Sequence, residues 1–295
     1  MSKNKKELFV GAATAIITPF SADKIDYKAF SNLIDFQLDG GIETIVVAGT
    51  TGEGSALSYG ELEELFSFAC NHVKGKAKII AGCGCNNTAR SVDIAKTAEW
   101  CGCHGLLAVT PYYNRPTSGG IIEHYTKIVE SVNLPIILYN VPSRTGTNMG
   151  LEVYRELAAH PRIVGVKEAS GSMSLASDIL AEFEDDLDLY AGNDDMTVPI
   201  MSIGGKGCIS VLSNILPVEV TGLCKMCREG HFADAGKLQL DLIPIIRALF
   251  KESNPIPIKY ALSHLGFCEL SYRLPLCPPT EETANELNQI LNILL

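Results

Sequence analysis

Positive charge is scarce in this sequence. The 295 residues include 24 lysines and arginines against 34 aspartates and glutamates, which gives a formal net charge of −10. Because such a chain repels polyanions, and because no basic run is longer than Lys5-Lys6, nucleic-acid binding is excluded as its function. Long apolar runs are absent as well, since no stretch reaches the ~18 uncharged apolar residues that a membrane span requires. The sequence therefore predicts a protein that binds neither nucleic acid nor membrane.

The chain does not need covalent cross-links to fold. Hydrophobic residues make up 46% of it, and a chain of this length buries roughly 75% of the surface that its unfolded form exposes. Its ten cysteines lie mostly within apolar segments, where a free thiol behaves as a small hydrophobic side chain. We therefore expect no disulfide framework, in keeping with a reducing compartment.

One feature near the first residues is similar to a targeting signal. Lys3, Lys5 and Lys6 precede the apolar run 8–17, which contains Ala13-Thr14-Ala15, a pattern similar to a cleavage site. The small residues lie inside the apolar run, however, and not after it. A first buried strand explains the run better, and we expect the protein to be cytoplasmic.

Short β-branched segments recur along the chain, and each is followed by a longer helical segment. Several are nearly continuous apolar blocks, as expected for parallel strands that are covered on both faces. Eight strand–helix units fit a (β/α)8 TIM barrel of the α/β class better than a doubly wound sheet. The predicted strands are Phe9–Ile16, Thr44–Ala48, Lys78–Gly82, Gly105–Val109, Pro135–Tyr139, Ile163–Lys167, Leu187–Ala191 and Gly207–Val211.

After Gly222 the strand pattern stops and a helical pattern continues. Predicted helices cover Ala233–Phe250, Pro257–Leu265 and Glu281–Leu294. We therefore expect a catalytic barrel over residues 1–222 and, over residues 223–295, a C-terminal helical extension that packs on the barrel.

In such barrels the chemistry takes place where strands end and the following loops begin. Lys167 ends the sixth predicted strand, which is otherwise apolar. Desolvation at such a position lowers the pKa of a lysine, and the free amine can attack a carbonyl to form an imine. Position alone equally allows a lysine whose side chain extends to solvent.

Two further loops carry candidate site residues. Tyr139 ends the fifth strand, where it could transfer protons, and Arg144 follows it, where its guanidinium could bind a carboxylate through two hydrogen bonds. After the second strand, Thr50 and Thr51 lie between glycines that let backbone N–H groups approach an anion. Each feature also has a structural explanation: a tyrosine at the edge of the core, a surface ion pair and a tight turn.

A different kind of site is suggested by Cys224, Cys227 and His231, whose spacing could hold zinc or form a redox pair. The three side chains would share one helix face, and no fourth ligand is apparent nearby. Buried helix packing is therefore the favoured interpretation.

Taken together, the strand ends resemble the dihydrodipicolinate synthase family, within the pyruvate-dependent class I aldolase superfamily that includes N-acetylneuraminate lyase. Thr50-Thr51, where sialic acid lyases usually have Ser-Thr, and Arg144 within Ser-Arg-Thr-Gly favour the synthase branch. The resemblance covers essentially the whole chain. The motifs that carry it are Ala15-Ile16-Ile17-Thr18-Pro19-Phe20, Gly49-Thr50-Thr51-Gly52-Glu53, Thr110-Pro111-Tyr112-Tyr113, Tyr139-Asn140-Val141-Pro142-Ser143-Arg144-Thr145-Gly146, Gly165-Val166-Lys167-Glu168, Gly192-Asn193-Asp194-Asp195 and Gly207-Cys208-Ile209-Ser210.

The resemblance implies a catalytic group of four residues. Lys167 would form a Schiff base with pyruvate, and Tyr139 would donate and accept protons, connected in a relay to Thr50 and Tyr113. The family needs no metal or organic cofactor, because the lysine imine is itself the electron sink. Its reaction is the entry to diaminopimelate and lysine synthesis.

The resemblance also implies binding residues and an assembly. Thr51 and the backbone at Ile209 would hold pyruvate, and Arg144 would bind the carboxylate of L-aspartate 4-semialdehyde. The family usually forms a homotetramer built from tight dimers, in which Tyr113 enters a neighbour's site.

The chain departs from the family in the pocket through which lysine inhibits. Members that lysine inhibits typically have histidine and glutamate at positions that match Tyr59, Leu62 and Arg90. Loss of a carboxylate and gain of Arg90 should repel the ammonium group of lysine. We therefore expect weak or absent inhibition by lysine.

Three other functions compete with the synthase. The chain could be another pyruvate-dependent aldolase, such as an N-acetylneuraminate or 2-keto-3-deoxy sugar acid lyase. It could be a metal-binding or redox protein that uses Cys224, Cys227 and His231. It could also be a catalytically inactive barrel that binds a partner, although the catalytic group of four disfavours that function.

Overall fold

A computed structural model describes residues 7–294 of the chain. Eight parallel strands, β1 to β8, close into a barrel in which each strand pairs with the next and β8 returns to pair with β1. The predicted (β/α)8 barrel is therefore confirmed, while Lys3, Lys5 and Lys6 lie outside the described residues. The strands are Gly11–Ala15, Thr44–Val47, Lys78–Gly82, Gly105–Val109, Ile136–Asn140, Ile163–Glu168, Asp188–Ala191 and Gly207–Ser210.

Helices alternate with the strands and cover the outside of the barrel. A short antiparallel pair, Phe20–Ser21 with Lys24–Ile25, precedes the first helix. Capping side chains fix several helix starts, as at α2, where Ser58 and Glu61 form a capping box. Helices α1 to α12 are Tyr27–Asp39, Tyr59–Val73, Thr88–Trp100, Ser118–Glu130, Pro142–Thr145, Leu151–Ala158, Met173–Phe183, Thr197–Ser202, Pro217–Arg228, Phe232–Leu249, Ile256–His264 and Glu281–Leu294.

Two apolar clusters make up the core because strand side chains alternate between the two faces. In β2, Ile45 and Val47 point outward into the larger cluster, between barrel and helices, whereas Val46 belongs to the cluster inside the barrel. At the amino end of the barrel, Phe9 stacks on Tyr190 with ring centroids 4.2 Å apart. Side chains thus fill the barrel interior at its amino end, and open space remains at the carboxyl ends of the strands.

The last three helices pack on one another and on the barrel helices. Helix α10 contacts α9 and α12, and α11 contacts α12. Helix α9 runs through residue 222, so the proposed boundary between barrel and extension falls within that helix. Within residues 7–294, no helix combines the length and apolarity of a membrane span.

Candidate active site

A cavity of about 550 Å³ opens at the carboxyl ends of the barrel strands. Five of the side chains predicted from the sequence line it, and the segments that flank α11 line it as well. The cavity therefore combines residues of the barrel with residues of the C-terminal extension. The predicted residues that line it are Thr50, Thr51, Tyr139, Arg144 and Lys167.

Lys167 lies inside the barrel near the end of β6 and pairs in register with Tyr139 on β5. Its side chain does not extend to solvent, since the residue is only 5% exposed. The Nζ atom lies 4.4 Å from the centroid of the Tyr139 ring. Burial lowers the pKa of Lys167 to about 8; the nearby Asp194 charge opposes this shift, and Arg144 adds to it. Roughly one molecule in ten therefore carries Lys167 as the uncharged amine at pH 7, far more than for an ordinary lysine.

The Tyr139 phenol is buried beside this amine. Burial raises its pKa, while the positive charge of Arg144 and a hydrogen bond with Thr50 lower it again. The phenol consequently carries its proton at neutral pH and has two neighbours that stabilise the phenolate when the proton leaves. This combination suits a group that passes protons to and from a reacting carbonyl.

Asp194 follows β7, which is the neighbour of β6 on the side opposite to Tyr139. Its carboxylate is buried and accepts hydrogen bonds from the Ser210 hydroxyl and from the backbone N–H groups of Val211 and Leu212, both of the latter at 3.1 Å. These donors hold the carboxyl ends of β7 and β8 together. Their hydrogen bonds favour the carboxylate, although burial raises the pKa of Asp194.

Arg144 reaches the cavity from the short helix α5, which begins with Pro142 directly after β5. Its Nη2 atom donates a hydrogen bond to the backbone carbonyl of Asn254, 3.1 Å away. The guanidinium is thereby held at the cavity mouth with its remaining donors available to an anion.

Thr51 meets the same segment of the extension. The Nδ2 atom of Asn254 donates to the Thr51 hydroxyl oxygen at 3.0 Å, and both residues are buried. Thr50, next to it, is more exposed and also lines the cavity. Sequence patterns gave no signal for Asn254, because its role depends on a contact between residues 203 positions apart.

A buried ion pair below the same loop was also not predicted. The Nζ atom of Lys259 in α11 donates to Glu53, and both side chains are almost inaccessible. The backbone N–H of Arg273 donates to the second carboxylate oxygen of Glu53 at 3.2 Å. Glu53 has a positive φ of 51°, a conformation that persists in a non-glycine residue only when its surroundings enforce it. The extension thus fixes the loop that carries Thr50 and Thr51.

Two predicted residues lie apart from the cavity of their own chain. Tyr113 is 90% exposed and is not among the residues that line the cavity, so it cannot contact Lys167 in this arrangement. Ile209 is fully buried in the barrel interior on β8. The roles of both residues stay predictions.

Comparison with known proteins identifies the family. The sequence profile of the dihydrodipicolinate synthetase family matches residues 8–294. A 4-hydroxy-tetrahydrodipicolinate synthase of Geobacter sulfurreducens is 43% identical over 96% of this chain and 98% of its own length. One from Caldicellulosiruptor bescii is 45% identical over 96% of each chain. This chain belongs to the dihydrodipicolinate synthetase family.

Solved structures of the family have the same fold throughout. The crystal structure of the dihydrodipicolinate synthase of Aquifex aeolicus matches with a TM-score of 0.95 and 39% identity, over 97% of this chain and 98% of that chain. A structure from Cyanidioschyzon merolae, with lysine bound, matches with a TM-score of 0.93 and 36% identity, over 97% and 98% of the two chains. The family predicted from the strand-end motifs is therefore confirmed.

The alternative site of Cys224, Cys227 and His231 is not assembled in the described residues, and the buried positions of the two cysteines agree with the favoured interpretation of helix packing. Cys224 and Cys227 are buried in α9, but His231 lies beyond the end of that helix and is exposed. The expectation that all three share one helix face was wrong, because α9 ends at Arg228. Residues 7–294 contain no group of three or more potential metal ligands, and all ten cysteines are free thiols.

Two of the residues predicted to weaken lysine binding, Arg90 and Leu62, line the same cavity. The guanidinium of Arg90 lies over the ring of Tyr59, 5.4 Å from its centroid, and Leu62 is buried. The cavity wall at these positions therefore presents a cation and an apolar side chain to a ligand.

Proposed function

We propose that the protein is a 4-hydroxy-tetrahydrodipicolinate synthase, which condenses pyruvate with L-aspartate 4-semialdehyde at the entry to diaminopimelate and lysine synthesis. The observation that carries the proposal is the buried Lys167, with its pKa lowered to about 8, directly beside the Tyr139 ring. The names of the relatives favour the synthase over a sugar acid lyase.

Lys167 and Tyr139 perform the first half of the proposed reaction. The Lys167 amine attacks the keto carbon of pyruvate, and Tyr139 protonates the oxygen that leaves as water, which produces the Schiff base. The imine draws electrons from the adjacent methyl group, and loss of a proton from that group gives an enamine. Thr51, together with the backbone at Ile209, holds the pyruvate carboxylate during these steps.

The second half joins the two substrates. Arg144 binds the carboxylate of the semialdehyde at the cavity mouth, the enamine carbon attacks the aldehyde carbon, and the aldehyde oxygen takes up a proton. The α-amine of the adduct then attacks the imine carbon, closes the ring and releases Lys167 as the free amine. Thr50 and Tyr113 relay protons between Tyr139 and solvent. The active form is a cytoplasmic homotetramer in which Tyr113 comes from a neighbouring copy.

Substrate choice provides the test of this function. Purified protein is given pyruvate with L-aspartate 4-semialdehyde in one reaction and pyruvate with N-acetylmannosamine in another, and pyruvate loss is measured. Loss only with the semialdehyde is expected. Loss only with the sugar would leave the lysine chemistry intact and contradict the assignment of Arg144.

The Schiff base has its own test. Borohydride reduction in the presence of pyruvate should leave one adduct on Lys167, and Lys167→Ala should abolish it. Peptide mapping must distinguish Lys167 from Lys259, the other buried lysine among residues 7–294. An adduct on Lys259, or none on the wild type, would overturn the mechanism.

A further inference from the structure

We propose that Asn254 is a positioning residue that orients the Thr51 hydroxyl as a hydrogen-bond donor toward the carboxylate of pyruvate. The inference rests on the proposed function and assigns a role in substrate binding to the C-terminal extension. Asn254 lies between α10 and α11, at the edge of the cavity that contains Lys167.

The direction of the hydrogen bond between Asn254 and Thr51 determines whether the Thr51 hydroxyl can donate its own proton to a ligand. The Nδ2 atom of Asn254 lies 3.0 Å from the Thr51 hydroxyl oxygen, and an amide nitrogen can only donate. Thr51 is therefore the acceptor in this contact, and its own hydroxyl proton is available to another partner. Within residues 7–294, that proton has no protein acceptor. A hydroxyl that can donate toward the cavity suits a carboxylate ligand, because hydrogen bonds to a charged acceptor are the stronger kind.

The oxygen of the Asn254 amide also supports a positioning role for this residue. The Oδ1 atom of Asn254 is buried and has no hydrogen-bond partner. An unpaired buried acceptor costs stability, so packing alone does not explain an asparagine at this position. An apolar replacement removes that cost, and we therefore expect such variants to fold.

The backbone and the side chain of Asn254 contact different residues, so an effect on pyruvate binding can be separated from an effect on semialdehyde binding. Its carbonyl oxygen accepts the hydrogen bond from Arg144 Nη2, whereas its side chain contacts Thr51. Replacement of the side chain leaves the carbonyl in place. The variant should therefore weaken pyruvate binding and leave binding of the semialdehyde nearly unchanged.

The test is a titration of the borohydride-trapped adduct with pyruvate alone. Asn254→Ala should raise the pyruvate concentration at half-maximal trapping about 3- to 10-fold, the range that corresponds to one hydrogen bond. Thr51→Val should raise it about 10-fold or more, and the double variant should be no worse than Thr51→Val. Asn288→Ala is the matched control, since Asn288 lies in the same extension and bonds to Tyr260 away from the cavity. The semialdehyde KM of Asn254→Ala should stay within about twofold of the wild type, as expected for an effect confined to the Thr51 contact.

Several outcomes would overturn the inference. An unchanged or lower half-saturating concentration in Asn254→Ala would show that the amide does not direct the Thr51 proton to pyruvate. Additive losses in the double variant would show that the two residues act independently. If Asn254→Ala does not fold, Asn254→Leu provides the same measurement with a side chain of similar volume and no donor. A wild type that traps no pyruvate would overturn the proposed function, and this inference with it.

Discussion

The protonation state of one side chain, Lys167, governs the proposed reaction, because only the free amine attacks pyruvate. Burial lowers its pKa to about 8, so roughly one molecule in ten has the free amine at pH 7 and roughly one in a hundred at pH 6. With subsaturating pyruvate and cyanoborohydride, the initial rate of adduct formation should rise about tenfold from pH 6 to pH 7 and level off above about pH 8. A rate that still rises tenfold per pH unit above pH 9 would indicate an ordinary, solvated lysine.

Substitutions at and beside Asp194 test whether its charge sets the midpoint of this pH profile. Its charge raises the pKa of Lys167, so Asp194→Asn should move the midpoint of the profile to lower pH. Ser210→Ala removes one of the hydrogen bonds to Asp194 and keeps the charge, so its midpoint should stay with the wild type. Equal midpoints in all three proteins would show that Asp194 only supports the backbone.

Between elements, the pair of Glu53 and Lys259 joins the loop after β2 to α11. Both side chains are at most 1% exposed, and a buried charge that loses its partner costs about 3–5 kcal/mol. Lys259→Met should therefore lower the free energy of unfolding in denaturant by about that amount, and the double variant with Glu53→Gln should recover part of it.

An exposed ion pair supplies the control for this measurement. Arg155 and Glu182 form a two-bond contact on the surface, where a pair contributes less than about 1 kcal/mol. Arg155→Ala should therefore have only a small effect. A similar loss in Lys259→Met and Arg155→Ala would contradict a stabilising role for the buried pair.

Arg90, on α3, leads to a prediction about inhibition. It lines the cavity beside Leu62 of α2, and a cation repels the ammonium group of lysine. L-lysine at millimolar concentration should therefore leave the rate of condensation nearly unchanged. Arg90→Glu, which replaces the cation with a carboxylate, should be the more sensitive protein. Strong inhibition of the wild type would contradict the expectation.

Elements were more predictable from the sequence than the contacts between them. Hydrophobic periodicity locates every barrel strand, and the position of Lys167 at a strand end follows from a local pattern. The contacts of Asn254 with Thr51 and of Lys259 with Glu53 join positions 203 and 206 residues apart. No spacing rule connects such positions, so the extension could be predicted as packed helices but not as part of the site. His231 was misplaced because the spacing argument passed over a local stop signal: Gly230, with a positive φ of 82°, follows the last turn of α9.

At the scale of the whole molecule, the proposed homotetramer makes a prediction about Tyr113, whose ring is exposed in the single chain. Its backbone has a positive φ of 74°, and its N–H donates to the Thr145 carbonyl at 3.4 Å, so the loop directs the ring away from its own cavity. If a neighbouring copy receives this ring, each site takes Lys167 from one chain and Tyr113 from the other. Lys167→Ala and Tyr113→Phe then remove residues that different chains contribute to the same site. Each variant alone should have little activity.

Mixing the two variants tests this arrangement. A mixed dimer contains one Lys167→Ala chain and one Tyr113→Phe chain. The site of the Tyr113→Phe chain keeps Lys167 and receives an intact Tyr113 from the partner, so one of the two sites is native. After dissociation and reassembly at equal amounts, about one quarter of all sites should be native, because about half of the pairs are mixed and the contact is reciprocal. Activity should then rise well above the sum of the separate variants, and size-exclusion chromatography must show the same assembly for both. If the mixture has no more than that sum, Tyr113 acts within its own chain and the loop must turn inward when substrate binds.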